Sequence, residues 1–137
     1  MKPLLIYYAD DDIDDLNIVT EAAEYFGHQT KQFFNGIDLL NDLIGKNEKP
    51  DFILLDYFMP GTDGLEILKK IRASSFSIPV VMMSGTCPTN MLLEFLKQGA
   101  NYIINKPTSF KAHQQNIETL SQIDWETLRF SVDDFKE

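Results

Sequence analysis

Residues 51–64 read Asp-Phe-Ile-Leu-Leu-Asp-Tyr-Phe-Met-Pro-Gly-Thr-Asp-Gly, and this stretch decides the fold. An apolar run over residues 52–55 ends on a single carboxylate, Asp56, and turn-forming residues follow within a few positions. A continuous apolar run bounded by turn signals indicates a strand that is buried on both faces, as in a parallel sheet. Ligands of open parallel sheets bind outside the carboxyl ends of the strands, so Asp56 is predicted to lie at such a site.

The rest of the chain alternates strand patterns with amphipathic helix patterns. The other strand patterns cover residues 3–9, 28–34, 77–83 and 102–104, and each is followed by apolar residues at helical spacing. The first helix is expected to begin after Asp12 as N-cap and to stop near Gly27. A strand–helix unit repeated five times predicts an α/β fold with a doubly wound parallel sheet. We expect one domain over residues 1–124 and a C-terminal extension over 125–137, with no output domain.

Composition narrows the functional classes. The net charge of -9 argues against direct binding of nucleic acid, which needs a basic surface. No apolar stretch approaches the roughly 18–20 residues of a membrane span, and the N-terminus does not resemble a signal peptide. Cys87 is the only cysteine, which excludes an intrachain disulfide and favours a cytoplasmic location.

Polar residues follow four of the five predicted strands and should meet at one edge of the sheet. They are Asp10 and Asp11, Asp56, Ser84, and Lys106. Clustered carboxylates repel one another unless a cation is bound, and Mg2+ is a hard ion that leaves positions for phosphate oxygens. A lysine and a hydroxyl opposite the ion suit those oxygens. The residues therefore predict phosphoryl transfer onto a carboxylate.

Four segments carry a family resemblance, in order along the chain. They are Ala-Asp-Asp-Asp at 9–12, Leu-Asp-Tyr-Phe-Met-Pro-Gly at 55–61, Val-Val-Met-Met-Ser-Gly at 80–85 and Asn-Lys-Pro at 105–107. Over residues 3–123 the chain resembles the receiver domain of two-component response regulators. The resemblance implies a flavodoxin-like (βα)5 sandwich with strand order 2-1-3-4-5. It also implies a single-domain regulator in a phosphorelay, similar to chemotaxis regulators or to stand-alone regulators paired with phytochrome-type kinases, a group that can form homodimers.

The resemblance assigns the acidic residues. Asp56 would be the phosphoacceptor, taking phosphate from a sensor histidine kinase or a histidine phosphotransfer protein. Mg2+ would be bound by Asp11 directly, by Asp10 mainly through water, by Asp56 and by the backbone carbonyl of Phe58. Such a protein is not an enzyme in the usual sense but a phosphoacceptor that assists its own phosphorylation and dephosphorylation.

The resemblance also assigns the switching residues. Ser84 would move to bond the phosphoryl group, and Lys106 would pair with its oxygens through a loop containing a cis bond to Pro107. Phosphorylation would then change the affinity for a downstream target protein. Many receivers have an aromatic switch residue where this chain has Ile103, and strand alternation sends Tyr102 to the opposite face.

Three other interpretations remain open at this stage. Asp10 to Glu21 spaces carboxylates as an EF-hand loop does, although the expected glycine is absent and a strand precedes it. A haloacid-dehalogenase-like phosphohydrolase would carry its nucleophile after the first strand in an Asp-x-Asp motif, usually followed by Gly/Thr signals that are absent from residues 10–14. A degenerate receiver would serve only for binding, which the intact set of site residues argues against.

The assignment of the neighbouring residues is less direct. Because three aspartates stand in a row, the acid pair could include Asp12. We assign Asp10 and Asp11 to the pair and Asp12 to the N-cap of the first helix. Asp14 and Asp15 are expected to face solvent, and His28 and His113 to lie on the surface or on a helix face. Trp125 is expected to serve in packing.

Overall fold

The computed structural model describes residues 2–45, 48–59, 61, 63–74, 76–85 and 89–126. Strands and helices alternate along the chain in ten elements. They are β1 (Leu5–Ala9), α1 (Ile13–Tyr25), β2 (Gln29–Phe33), α2 (Gly36–Gly45), β3 (Phe52–Asp56), α3 (Gly64–Ala73), β4 (Val80–Ser84), α4 (Thr89–Lys97), β5 (Tyr102–Asn105) and α5 (Phe110–Ser121).

The five strands form one parallel sheet in the order β2-β1-β3-β4-β5. This topology confirms the predicted flavodoxin-like fold. The order reverses at β1 and β3, which are hydrogen-bonded neighbours with Ala9 paired to Leu55. In open α/β sheets the crevice at such a reversal is where ligands bind, and Asp10 and Asp56 stand at its two sides.

Alternation along the strands divides the core between two faces of the sheet. On β3, Ile53 and Leu55 pack with residues of α2, α3 and α4, whereas Phe52 and Leu54 pack with residues of α1 and α5. All five residues of β3 are buried. Helices on both faces therefore explain why this strand is a continuous apolar run rather than an alternating one.

The ends of the elements lie close to the predicted positions. Gly27, with a φ of 83°, follows the end of α1, a left-handed conformation that glycine adopts without steric cost. Trp125 packs with its ring centroid 6.0 Å from that of Phe52 and 6.4 Å from that of Tyr102, which confirms a packing role. The boundary between residues 124 and 125 stays a prediction, since residues 127–137 lie outside the described part of the chain, as does Cys87.

The helices in the described ranges are short or carry charged residues. None of them combines the length and the apolar character that a bilayer span requires.

Gly64 shapes the chain between β3 and α3. Its N–H donates to the carbonyl of Tyr57 at 2.8 Å. A Cβ at this position would lie 2.7 Å from the carbonyl oxygen of Asp56 and 2.9 Å from the Cα of Tyr57. Because backbone atoms cannot yield as a flexible side chain can, only glycine lets α3 start this close to the end of β3.

Replacing Gly64 with alanine should therefore destabilise the fold. Gly64→Ala is expected to lower the free energy of unfolding by about 1–3 kcal/mol, as overpacking does in well-packed interiors. Urea denaturation followed by circular dichroism measures the change. Gly45→Ala is the matched control, since a Cβ there meets no atom within 4 Å. Equal stability of the two variants would contradict this account of Gly64.

Candidate functional site

The carboxyl ends of four strands bring the predicted site residues to one edge of the sheet. Asp56 and Ser84 are the last residues of β3 and β4, while Asp10 and Lys106 follow β1 and β5 directly. The N–H of Lys106 donates to the carbonyl of Ser84 at 2.8 Å, which ties the end of β5 to the end of β4. The parallel topology thus places these four residues together, as their positions after strands predicted.

Asp10 is fully buried and its carboxylate is held from several sides. Its Oδ1 accepts a hydrogen bond from the N–H of Asp12 at 3.0 Å. Its Oδ2 accepts one from the hydroxyl of Tyr8 and lies 3.0 Å from the Nζ of Lys106. Buried carboxylates are costly unless paired and hydrogen-bonded, and Asp10 meets both conditions.

Tyr8 was not singled out from the sequence, although its position carried a signal. It stands two residues before Asp10, so both side chains point to the same face of the chain. Burial, and then the charge of Asp10, raises the pKa of Tyr8, so its hydroxyl keeps its proton and acts as a donor. Tyr8 is therefore a fixed partner of the buried carboxylate.

The three consecutive aspartates have separate roles. Carboxylate oxygens of Asp10, Asp11 and Asp56 all lie within 4.8 Å of one another. Asp12 is instead the N-cap of α1, with its Oδ1 accepting from the N–H of Asp14 at 2.8 Å and of Asp15 at 3.3 Å. This geometry supports Asp10 and Asp11 as the acid pair. It also excludes the EF-hand interpretation, because α1 occupies most of the segment that would form the calcium loop.

Asp56 is buried at the end of β3 with only 4% of its surface exposed. Burial, followed by the charge of Asp10, raises its pKa to about 7. The ammonium of Lys106, at 3.4 Å, and a hydrogen bond from the backbone of Phe58 act in the opposite direction. The carboxyl group therefore depends on nearby positive charge to stay ionised.

Lys106 contacts three carboxylates at once. Its Nζ lies 2.7 Å from Asp15, 3.0 Å from Asp10 and 3.4 Å from Asp56. Burial alone would lower the pKa of Lys106, but the hydrogen bonds and charges of these partners outweigh it and raise the pKa. The expectation that Asp15 faces solvent is wrong, since it pairs with Lys106 and its side chain is 24% exposed.

The two histidines were expected on the surface or on a helix face, and neither lies on the surface, although His113 does lie on a face of α5. His28 is 2% exposed and its Nδ1 accepts from the N–H of Leu4 at 3.0 Å. His113 is 4% exposed and lies on the inner face of α5 with Ile117 and Leu120. Burial lowers the pKa of both imidazoles, which favours their neutral forms.

Two expectations about β5 and its loop have different outcomes. Tyr102 packs on the face of α1 and α5, whereas Ile103 packs on the opposite face, as strand alternation predicted. The expected cis bond before Pro107 is wrong here, because no peptide bond within the described residues is cis. The trans form is the one that an X–Pro bond prefers when its surroundings do not select the other.

The acidic residues suit a hard divalent cation. Asp10, Asp11 and Asp56 offer oxygen ligands that lie close enough together to share one ion. Asp11 is exposed, so the site also has an open side through which water or phosphate oxygens could complete the coordination. The donor set therefore fits Mg2+, which takes few protein carboxylates and retains water.

Comparison with known proteins agrees with this fold. The family model of the response regulator receiver domain matches residues 6–118. The chain is 35% identical over 102 residues to sporulation initiation phosphotransferase F of Bacillus subtilis, covering 74% of this chain and 81% of that protein. It is 31% identical over 107 residues to the transcriptional regulator NtrC of Escherichia coli, covering 78% of this chain but only 22% of NtrC.

Solved structures of response regulators share the fold of this chain. The receiver domain of the Francisella response regulator 1452 superposes with a TM-score of 0.74 at 27% identity, over 92% of this chain and 99% of that one. The phosphorylated cyanobacterial phytochrome response regulator RcpA superposes with a TM-score of 0.79 over 94% of this chain and 98% of that one; at 22% identity this likeness concerns the fold.

The chain therefore belongs to the response regulator receiver domain family of two-component systems. Members of this family act in phosphorelay signalling. They are phosphoacceptors rather than classical enzymes, and they receive phosphoryl groups from histidine kinases and act on downstream targets.

The raised pKa of Asp56 gives a pH dependence with a defined sign. The folded chain holds the proton of Asp56 up to about pH 7, whereas the reference pKa of an unshifted aspartate is 3.8. The stability that this difference contributes is present below about pH 4 and lost as the pH rises through about 7. Asp56→Asn avoids that loss, so without divalent cations it should exceed the wild type by roughly 2–4 kcal/mol at pH 8.

Urea unfolding in EDTA from pH 4 to pH 8 measures this difference. The advantage of Asp56→Asn should shrink towards pH 4, where the folded carboxyl is protonated and the unfolded one is already about half protonated. Asp14→Asn removes the same charge from an exposed position and serves as the control. An advantage of Asp56→Asn that is independent of pH would contradict the burial of an ionised Asp56.

Proposed function

We propose that Asp56 accepts a phosphoryl group from a phosphohistidine of a sensor histidine kinase or histidine phosphotransfer protein, in a reaction that requires Mg2+. The observation that carries this proposal is the gathering of Asp10, Asp11 and Asp56 within 4.8 Å, with the ammonium of Lys106 3.4 Å from Asp56. In-line phosphoryl transfer uses carboxylates and a lysine, and it needs a side of the site that is open to the donor.

The transfer exchanges one bond for another. An oxygen of Asp56 attacks the phosphorus, a P–O bond forms, and the P–N bond to the donor imidazole breaks. The imidazole leaves with the electron pair of that bond and takes up a proton. The nucleophile must be ionised, and Lys106 favours the ionised form of Asp56 against the effect of burial.

Different residues would contact the two sides of the phosphoryl group. Asp10, Asp11, Asp56 and the backbone carbonyl of Phe58 would hold Mg2+, which when bound neutralises charge on the phosphoryl oxygens. Lys106 would pair with an oxygen on the other side. This arrangement would let the chain assist both its own phosphorylation and the later hydrolysis of the acyl phosphate, without being an enzyme in the usual sense.

The readout in this proposal is a change of affinity for a target protein. Ser84 is buried at the end of β4, next to the end of β3, and its backbone is tied to Lys106. Movement of Ser84 towards a phosphoryl group would repack the surface formed by α4, β5 and α5. Because Ile103 replaces the usual aromatic residue, the switch would rest on Ser84 and Lys106. Such a change is a population shift between two states.

The location and partners belong to the same proposal. We expect a cytoplasmic protein that meets a histidine kinase or phosphotransfer protein and a target protein, without binding nucleic acid itself. The single cysteine supports the cytoplasmic location, and the net charge of -9 supports the absence of nucleic-acid binding.

Incubation with a small acyl phosphate or phosphoramidate tests the reaction directly. With Mg2+, intact-mass spectrometry should show one added phosphoryl group that is stable in acid and labile in base. Asp56→Asn should remove the adduct, and EDTA should reduce its rate of formation by at least about tenfold, equivalent to about 1.4 kcal/mol. Steady release of phosphate without an adduct would support a phosphohydrolase instead, and the absence of both would leave only a binding module.

A further inference from the structure

The ion pair between Asp15 and Lys106 is a feature of the site that its proposed chemistry does not use. The 2.7 Å contact is the shortest of the three ion pairs that Lys106 makes among the described residues, and it joins the first turn of α1 to the loop after β5. We propose that Asp15 is a positioning residue that holds the ammonium of Lys106 at the edge of the sheet. In doing so it leaves Asp10 and Asp56 available to a cation. This role rests on the proposed function.

The local structure fixes Asp15 where it can do this. Its N–H donates to the capping carboxylate of Asp12 at 3.3 Å, which anchors the first turn of α1. α1 packs against α5, so the start of α1 lies beside the loop that carries Lys106. The side chains of Asp15 and Lys106 are 24% and 21% exposed, so solvent screens this pair less than a pair on the open surface.

Competition for Asp10 and Asp56 explains why a separate partner for Lys106 matters. Both carboxylates belong to the group that fits a cation, and both also contact Lys106. Asp15 lies outside that group. When a cation neutralises Asp10 and Asp56, their attraction for the ammonium weakens, and Asp15 alone retains its full charge towards Lys106. Lys106 then stays at the edge, with a donor free to bind a phosphoryl oxygen.

Loss of Asp15 should therefore weaken cation binding through Lys106. Without Asp15, the ammonium would pair more fully with Asp10 and Asp56 and would compete with the cation for them. A simpler role for Asp15 is a favourable charge at the N-terminus of α1. Asp14 occupies the same turn, is exposed and would have the same helix-terminus effect, which makes Asp14→Asn the matched control.

Calorimetric titration of the unphosphorylated protein with Mg2+ tests this role. Asp15→Asn should raise the dissociation constant for Mg2+ several-fold more than Asp14→Asn does. In a Lys106→Met background, the two substitutions should have equal effects, because the competing ammonium is gone. Asp15→Glu, which retains the carboxylate, should stay close to the wild type.

A second measurement needs no metal ion. In EDTA, a double-mutant cycle by urea denaturation should show that Asp15→Asn and Lys106→Met are non-additive, whereas Asp14→Asn and Lys106→Met add. Equal effects of Asp15→Asn and Asp14→Asn on Mg2+ affinity would overturn the role of Asp15, as would a difference that persists in Lys106→Met. Phosphorylation of the wild type separates the two claims, because absence of the adduct would overturn the proposed function alone.

Discussion

The site depends on the ion pairs that the ammonium of Lys106 makes with the nearby carboxylates. The folded chain brings the carboxylates of Asp10, Asp15 and Asp56 to one edge of the sheet, and all three contact this single cation at 2.7–3.4 Å. Like charges this close would repel one another and weaken the fold if nothing opposed them. Burial and then the charge of Asp10 still raise the pKa of Asp56 to about 7, so the ammonium offsets them only in part. A site left short of positive charge is suited to take up a divalent cation.

The fold both crowds these carboxylates together and holds them in fixed positions. Parallel strands that end together, with the order reversing between β1 and β3, concentrate the polar ends of the strands in one crevice. Tight packing below the crevice leaves the carboxylates little freedom, because Tyr8 binds Asp10 and Gly64 allows α3 to begin against the end of β3. In the proposed switch, this packing would pass a charge rearrangement on to β4 and β5.

Sequence reasoning identified the features that rest on strand ends and alternation. Asp56 and Lys106 follow apolar runs, so their meeting could be predicted from parallel topology alone. Asp15 could not be identified in this way, because an aspartate in the first turn of a helix has an ordinary explanation in helix capping and its contact is remote in sequence. His113 did carry a signal, since Ile117 and Leu120 follow it at helical spacing on the buried face. The bond before Pro107 depends on tertiary surroundings that no local pattern encodes.

The stability of Lys106→Met with and without Mg2+ tests the central claim most directly. If Lys106 is the cation that holds the carboxylates together, this substitution should lower the free energy of unfolding by about 2 kcal/mol or more in EDTA at pH 8. Saturating Mg2+ should restore most of that loss, because a bound cation would take over the neutralisation of Asp10 and Asp56. An equal loss with and without Mg2+ would contradict the account, since Lys106 would then stabilise the fold by a means unrelated to the charge of the site.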